Sequence, residues 1–198
     1  MGRPRSFDTE AVVHAAMLTF WQQGYEATSI RDLEAATGLA APSLYGVFGH
    51  KEGIFTAALQ HYIDEVIGAG VSATADHGLA GIRMMFASIL AKDPDLPLGC
   101  LLAITSTEAG ALGADPRGVL AGGLDRVRTV LRANLRQAIH SGSLDPDVDV
   151  PATGDALLAL YEGIQVLLRS SPDHVDVAAI AGPVLDRLLP APPHPTMP

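Results

Sequence analysis

From Asp8 to Leu189 the apolar residues recur every three or four positions, and glycines and prolines cut the chain into segments. No stretch alternates apolar and polar residues between turns, as a half-buried strand would, so the expected fold class is all-α, helix packed on helix. With 48% hydrophobic and 18% charged residues in a chain of 198, there is material for a sizeable core and no case for global disorder. The longest nearly uncharged run, Leu96 to Thr107, is broken by Pro97, Gly99 and three hydroxyl residues, and is far short of the ~18 apolar residues of a membrane span. The start, Met1-Gly2-Arg3-Pro4-Arg5, leads into Asp8, Thr9 and Glu10 and does not read as a secretory signal. A single cysteine, Cys100, allows no intrachain disulfide. The expected compartment is therefore cytoplasmic, with no membrane partner.

Local signals place the helices. Asp8 is a good N-cap with Glu10 in the first turn, Gly24 is the stop, and Val13, Ala16, Met17 and Phe20 share one face. Thr28 or Ser29 caps a short second helix with Asp32 as capping-box partner, Ile30 and Leu33 inward, and Gly38 as a left-handed stop. A third short helix covers about 41–48, with Pro42 in its first turn, Leu44 and Phe48 inward, and Gly49 closing it. A longer helix from about Lys51 carries Phe55, Leu59, Tyr62 and Val66 on one face and ends near Gly68 to Gly70. Five long hydrophobic helices are expected beyond it, at about 78–91, 100–112, 116–141, 151–170 and 172–189. Their breaks are Asp93-Pro94-Asp95, Asp115-Pro116, Asp145-Pro146-Asp147 and Ser171-Pro172. The prolines are read as lying at segment edges and as loosening a tail over 190–198.

The segment from Thr28 to Lys51 reads TSIRDLEAATGLAAPSLYGVFGHK, two helices of seven or eight residues about a Gly38-Leu39 turn. That spacing suits a helix-turn-helix, whose second helix enters the ~12 Å major groove. With Phe20 and Gly24-Tyr25-Glu26-Ala27 before it, the segment closely resembles the DNA-binding domain of TetR/AcrR-type transcriptional regulators, over about Ser6 to Leu59. The resemblance implies that Thr28 and the early second helix touch phosphate, that Ser43 and its neighbours face bases, and that Tyr45 and Lys51 anchor to the backbone. The residue chemistry agrees: Tyr45 offers a ring and a hydroxyl, and Lys51 a cation beside free helix amides. Ala40, Ala41, Pro42, Gly46 and His50 complete the expected contact set. Ala41 stands where a basic residue is frequent and Gly46 where a polar one is, so base readout is sparse and shape readout is expected to carry more specificity. Arg3 and Arg5, on a short extended leader, suit a narrow minor groove.

The chain carries 13 Lys+Arg against 22 Asp+Glu, a net charge of −9, so bulk charge repels nucleic acid and any contact must be local. One helix-turn-helix of this size is too small for tight specific binding, and a homodimer on a palindromic double-stranded DNA operator is expected. The last two helices are the candidate interface: Leu157, Tyr161, Ile164 and Leu168 in one, Ile180, Val184 and Leu188 in the other. The expected division is a DNA-binding domain over 1–52, a helical ligand-binding and dimerisation domain over 53–189, and the tail over 190–198.

A small-molecule effector is expected within the second part, with Met85, Phe86, Ile89, Leu101, Ile104, Thr105, Glu108, Tyr161 and Gln165 as candidate lining. Glu108, a carboxylate in an apolar helix, must be exposed, paired, or reserved for a polar ligand group. Cys100, at a helix start, is either a buried structural cysteine or the switch of a redox-responsive regulator. An α-helical enzyme using Glu108 with His140 is a remote rival. No cofactor is expected. The seven histidines show no metal-binding spacing, and no phosphate loop, nucleophile elbow or paired catalytic carboxylates are found, so no enzyme is expected; the resemblance implies a regulator, a repressor released by its ligand.

Overall fold

The computed structural model describes residues 7–90 and 96–191, and every regular element among them is a helix. Arg3, Arg5, the Asp93-Pro94-Asp95 break and the tail beyond Ala191 lie outside the described residues. The chain divides into two compact units: the described residues of Met1–Val66 and Asp95–Gly123 form one, those of Ile67–Pro94 and Leu124–Pro198 the other.

In the first unit α1 spans Thr9–Gln23, α2 Ile30–Thr37, α3 Ala41–Phe48 and α4 Lys51–Tyr62. The Asp8 carboxylate accepts the Glu10 and Ala11 amides at 2.9 and 3.4 Å, and Gly24, at φ 89°, ends α1. The buried face of α1 is Val12, Ala16, Met17, Phe20 and Trp21, whereas Val13 is only half-buried. The expected stripe is thus corrected by one position. The cause is a pair of adjacent aromatics that each find an edge-to-face partner on α4: Phe20 on Phe55 and Trp21 on Tyr62, both at 4.9 Å between centroids.

The capping box on α2 forms as expected, Ser29 accepting from the Asp32 amide and Asp32 from the Ser29 amide, and Gly38 closes the helix in the left-handed region at φ 68°. On α3 the N-cap is Ala40, which has no side-chain acceptor, and the free amide of Ala41 donates instead to the Glu34 carboxylate of α2 at 2.6 Å. A carboxylate there satisfies an orphan donor and meets the positive end of the helix dipole.

Beyond Tyr62 the helix does not run on unbroken. A π turn over Ile63–Ile67 precedes α5, Gly68–Thr74, and the division between the two units falls within it. The remaining helices are α6 (Gly78–Ala87), α7 (Leu101–Thr107), α8 (Ala114–His140), α9 (Val150–Ser170) and α10 (Val177–Leu188). α7 is shorter than expected. Thr105, Ser106 and Thr107 each turn a hydroxyl back onto a carbonyl of Leu101, Leu102 and Ile104, and the chain continues as a 3-10 turn, Ala109–Ala111, that contains Gly110. α10 starts five residues late, because Asp176 is its cap, accepting the Ala179 amide at 3.0 Å, while Pro172–His174 forms a separate 3-10 turn. Pro183 lies inside α10 and not at a segment edge. Pro183 and Ala179 are both exposed, so the carbonyl that loses its helical donor can be met by solvent.

The second unit packs Ile82, Phe86, Leu131, Leu135, Leu157, Ile164 and Leu185 into its core. A fully buried amide, Asn134 of α8, accepts the His77 amide at 3.0 Å and donates to the Thr74 carbonyl at 2.9 Å, fixing the α5–α6 turn. Arg128 and Arg132 of α8 share Asp155 of α9 at 2.8 and 3.0 Å. These pairs are partly exposed and add at most about 1 kcal/mol each.

Two stability outcomes follow from these bonds. Glu34→Ala is expected to lower unfolding stability by about 1 kcal/mol, and adding Ala40→Ser to restore part of it by supplying the missing cap acceptor; denaturant melts check both. Asn134→Leu strands the buried Thr74 carbonyl and removes the partner of the part-buried His77 amide, and is expected to cost roughly 1–3 kcal/mol in the same measurement.

Candidate nucleic-acid interface

α3 buries one side chain completely, Leu44, and turns Pro42, Ser43, Tyr45 and Gly46 outward. Tyr45 is 39% exposed, and a Cβ added at Gly46 would meet nothing within 4 Å, so this face of the helix is open enough to approach a duplex. Ala40 is exposed at the helix start, and Ala41, half-buried, is tied by its amide to Glu34. His50 is the N-cap of α4, its Nδ1 accepting the Gly53 amide at 3.2 Å, which leaves the ring exposed beside Lys51.

Lys51 is held more closely than its place at a helix start suggests. Its Nζ lies 4.5 Å over the Tyr25 ring and 3.4 Å from the Glu26 carbonyl. Burial pulls the ammonium below the ordinary lysine value, while Glu108, Glu26 and Asp32 pull the other way. Tyr25 in turn packs on Phe55 at 4.8 Å, so the cation rests on a ring that belongs to the core.

Thr28 is placed differently from a free phosphate contact: it is 1% exposed, and its hydroxyl donates to the Gly24 carbonyl at 2.6 Å. The exposed polar groups at that end of α2 are Ser29 and Arg31, and Arg31 was not singled out from sequence although it is the cation of that helix. Glu34 and Tyr25 were missed too. Their roles come from contacts seven and twenty-six residues away in sequence, beyond the reach of capping patterns.

The remaining candidates are distributed as follows. Leu101, Ile104, Thr105 and Glu108 lie in the first unit, and Met85, Phe86, Ile89, Tyr161 and Gln165 in the second, where Phe86 meets Tyr161 edge-on at 5.6 Å. The Glu108 carboxylate accepts the Tyr25 and Glu26 amides at 2.8 and 3.2 Å, which is the paired alternative. Cys100 is 1% exposed and the Tyr62 hydroxyl donates to its sulfur at 3.3 Å, the surroundings of a packed core cysteine. His14 and His61 approach to 3.2 Å across α1 and α4, a pairing 47 residues apart that spacing does not reveal. Among the described residues no group of three or more His, Cys, Asp or Glu side chains is placed to hold a metal ion. No described helix is long and apolar enough to cross a membrane. On the last two helices Leu157, Ile164 and Leu168 are spent on the chain's own core, Tyr161, Ile180 and Leu188 are half-buried, and Val166, Leu167 and Val184 face outward.

Two capped eight-residue helices about a left-handed glycine, the second with its polar face free, define a helix-turn-helix DNA-binding module. Comparison with known proteins is specific. A profile of bacterial regulatory proteins of the tetR family matches residues 12–58, and one of the tetracyclin repressor-like C-terminal domain matches residues 78–181. The HTH-type transcriptional repressor ComR of Escherichia coli (strain K12) is 34% identical over 195 residues, spanning 93% of this chain and 90% of that protein. The repressor BdcR of the same organism is 40% identical over 62 residues, 31% of this chain and 32% of its own. Among solved structures, a cysteine mutant of the TetR family regulator CifR complexed with 26-bp double-strand operator DNA is 27% identical, covering 96% of this chain and all of that one, with a TM-score of 0.77. Reduced NemR of E. coli shares the fold at a TM-score of 0.81 and 18% identity, over 93% of this chain and 99% of its own. The chain belongs to the TetR family of bacterial transcriptional regulators.

Lys51→Ala is expected to weaken duplex binding about equally for all sequences and to lower the log–log salt slope by about 0.9 per subunit, read from binding isotherms at several salt concentrations.

Proposed function

We propose that the protein is a repressor that binds a palindromic operator as a homodimer and leaves it when a small molecule binds the second unit. The observation that carries this reading is the outward face of α3, Ser43, Tyr45 and Gly46, beside a lysine mounted on a core aromatic. The face offers two hydroxyls, on Ser43 and Tyr45, and several methyl or methylene groups, so direct readout is limited to a few base edges and thymine methyls. Phosphate positioning falls to Tyr45, Lys51, His50 and Arg31, and DNA shape supplies the rest of the specificity. The family relatives named as repressors, and the relative solved on operator DNA, support the same reading. Such a regulator works beside the chromosome, in the cytoplasm, and turns over no substrate.

For the dimer we place the contact on the outward residues Val166, Leu167 and Val184, with Tyr161, Ile180 and Leu188 at its margin, because Leu157, Ile164 and Leu168 are already buried within the chain. For the effector, Phe86 is the candidate that also lines a hollow of about 290 Å³ in the second unit, with Ala87, Leu90, Val177, Ala181 and Leu185 as apolar walls and Arg83 as a charged group. That size and lining suit a small, largely apolar molecule. It releases DNA only by as much as it prefers the state that does not fit the operator.

The direct test is selection of duplexes from a random-sequence pool. A two-fold symmetric consensus is expected, and Ser43→Ala should relax preference at one or two positions per half-site without changing the salt slope. Recovery of no consensus contradicts the reading. Leu167→Glu with Val184→Glu is expected to yield monomers in sedimentation and to weaken binding to the selected duplex by about a hundredfold or more, since the second half-site is no longer tethered to the first.

A further inference from the structure

We infer that Glu108 is a positioning residue of the DNA-binding surface, fixing from the end of α7 the turn on which Lys51 rests. The inference deepens the DNA-binding reading and depends on it.

Three observations converge on this carboxylate. Both of its oxygens are used, Oε2 accepting the Tyr25 amide at 2.8 Å and Oε1 the Glu26 amide at 3.2 Å. Two successive backbone N–H groups aimed at one anion form a nest, and here the anion is supplied by the chain itself. Gly24, which precedes them, is built for the approach: at φ 89° it disfavours any L side chain, and a Cβ there would stand 2.8 Å from Oε1. Finally, each residue held by Glu108 also touches Lys51, Tyr25 through its ring at 4.5 Å and Glu26 through its carbonyl at 3.4 Å.

A second clasp runs in the opposite sense. Glu52, next to Lys51, accepts the Gly113 amide at 3.0 Å, and Gly113 packs so closely on that carboxylate that a Cβ would overlap it. Lys51 is therefore flanked by two carboxylate-to-amide ties to the short stretch between α7 and α8, Glu108 at its start and Gly113 at its end. Glu108 is one carboxylate among several near the cation, and of these it is the one bonded to both amides of the turn on which the cation rests. Removing it frees the Tyr25–Glu26 turn while leaving Phe20, Phe55 and the α2–α3 caps in place.

The test measures affinity of the full-length dimer for a duplex selected from a random pool by the parent protein, with Glu108→Ala and Glu108→Gln each made in the parent and in a Lys51→Ala background. Glu108→Ala is expected to weaken binding about tenfold in the parent and no more than about twofold with Lys51→Ala, because both changes act through one cation. Glu108→Gln keeps one carbonyl oxygen for the nest and should lose less than Glu108→Ala; being nearly isosteric, it carries the test if the alanine variant does not fold. Parent-like affinity of the variants well below their melting temperature overturns the inference. So does an equal loss in both backgrounds, which would mark a general packing role. A parent protein that selects no duplex overturns the DNA-binding reading and this inference with it.

Discussion

The placement of α3, the second helix of the helix-turn-helix, depends on the aromatic contact between α1 and α4. An eight-residue helix is too short to persist in water by itself, and α3 fully buries only Leu44. Its orientation is inherited from the frame behind it, where Phe20 meets Phe55 and Tyr25 lies against the same ring. Phe20 and Phe55 are fully buried, so a change in either moves the base on which the helix-turn-helix stands. The same cluster ends at Tyr25, whose other side carries Lys51. Core packing and the seating of the Lys51 cation are thus two faces of one group of rings.

Charge is arranged around this frame in an uncommon way for a DNA-binding chain. The net charge is −9, and four carboxylates close to α3 and Lys51 are occupied: Glu34 on the amide that opens α3, Asp32 on Ser29, Glu108 on the Tyr25–Glu26 nest, Glu52 on Gly113. Each accepts a hydrogen bond that holds backbone in place, so these carboxylates contribute rigidity, and under the proposed reading the few cations are left to meet phosphate. On that proposed reading, binding of this kind is modest in sequence-independent strength and leans on two-fold pairing for its affinity.

What could be read from the sequence were features whose cause lies within three or four residues. The Asp8 and Ser29 caps, the Asp32 capping box, the Gly38 stop and the bounds of α2 and α3 are of this kind, as are the outward Ser43 and Tyr45. What could not were choices settled by distant partners. Val12 takes the inner place expected for Val13 because Trp21 needs Tyr62; Ala41 finds its cap on another helix; Glu108 finds its donors 82 and 83 residues away. α9 has apolar residues on both sides, and periodicity alone does not say that Leu157, Ile164 and Leu168 face inward while Val166 and Leu167 face out. The end of α7 was misjudged for a local reason, three hydroxyls bonding back onto carbonyls, which apolar spacing does not register.

Hydroxyl-radical footprinting of the protein on a duplex it has itself selected tests the central claim most directly. Two protected patches related by a two-fold axis, centred on major grooves about one or more helical turns apart, are the predicted result, with the cleavage pattern of Tyr45→Ala weakened at the flanking phosphates of each patch. A single unsymmetric patch, or protection unaffected by Tyr45→Ala, would contradict it.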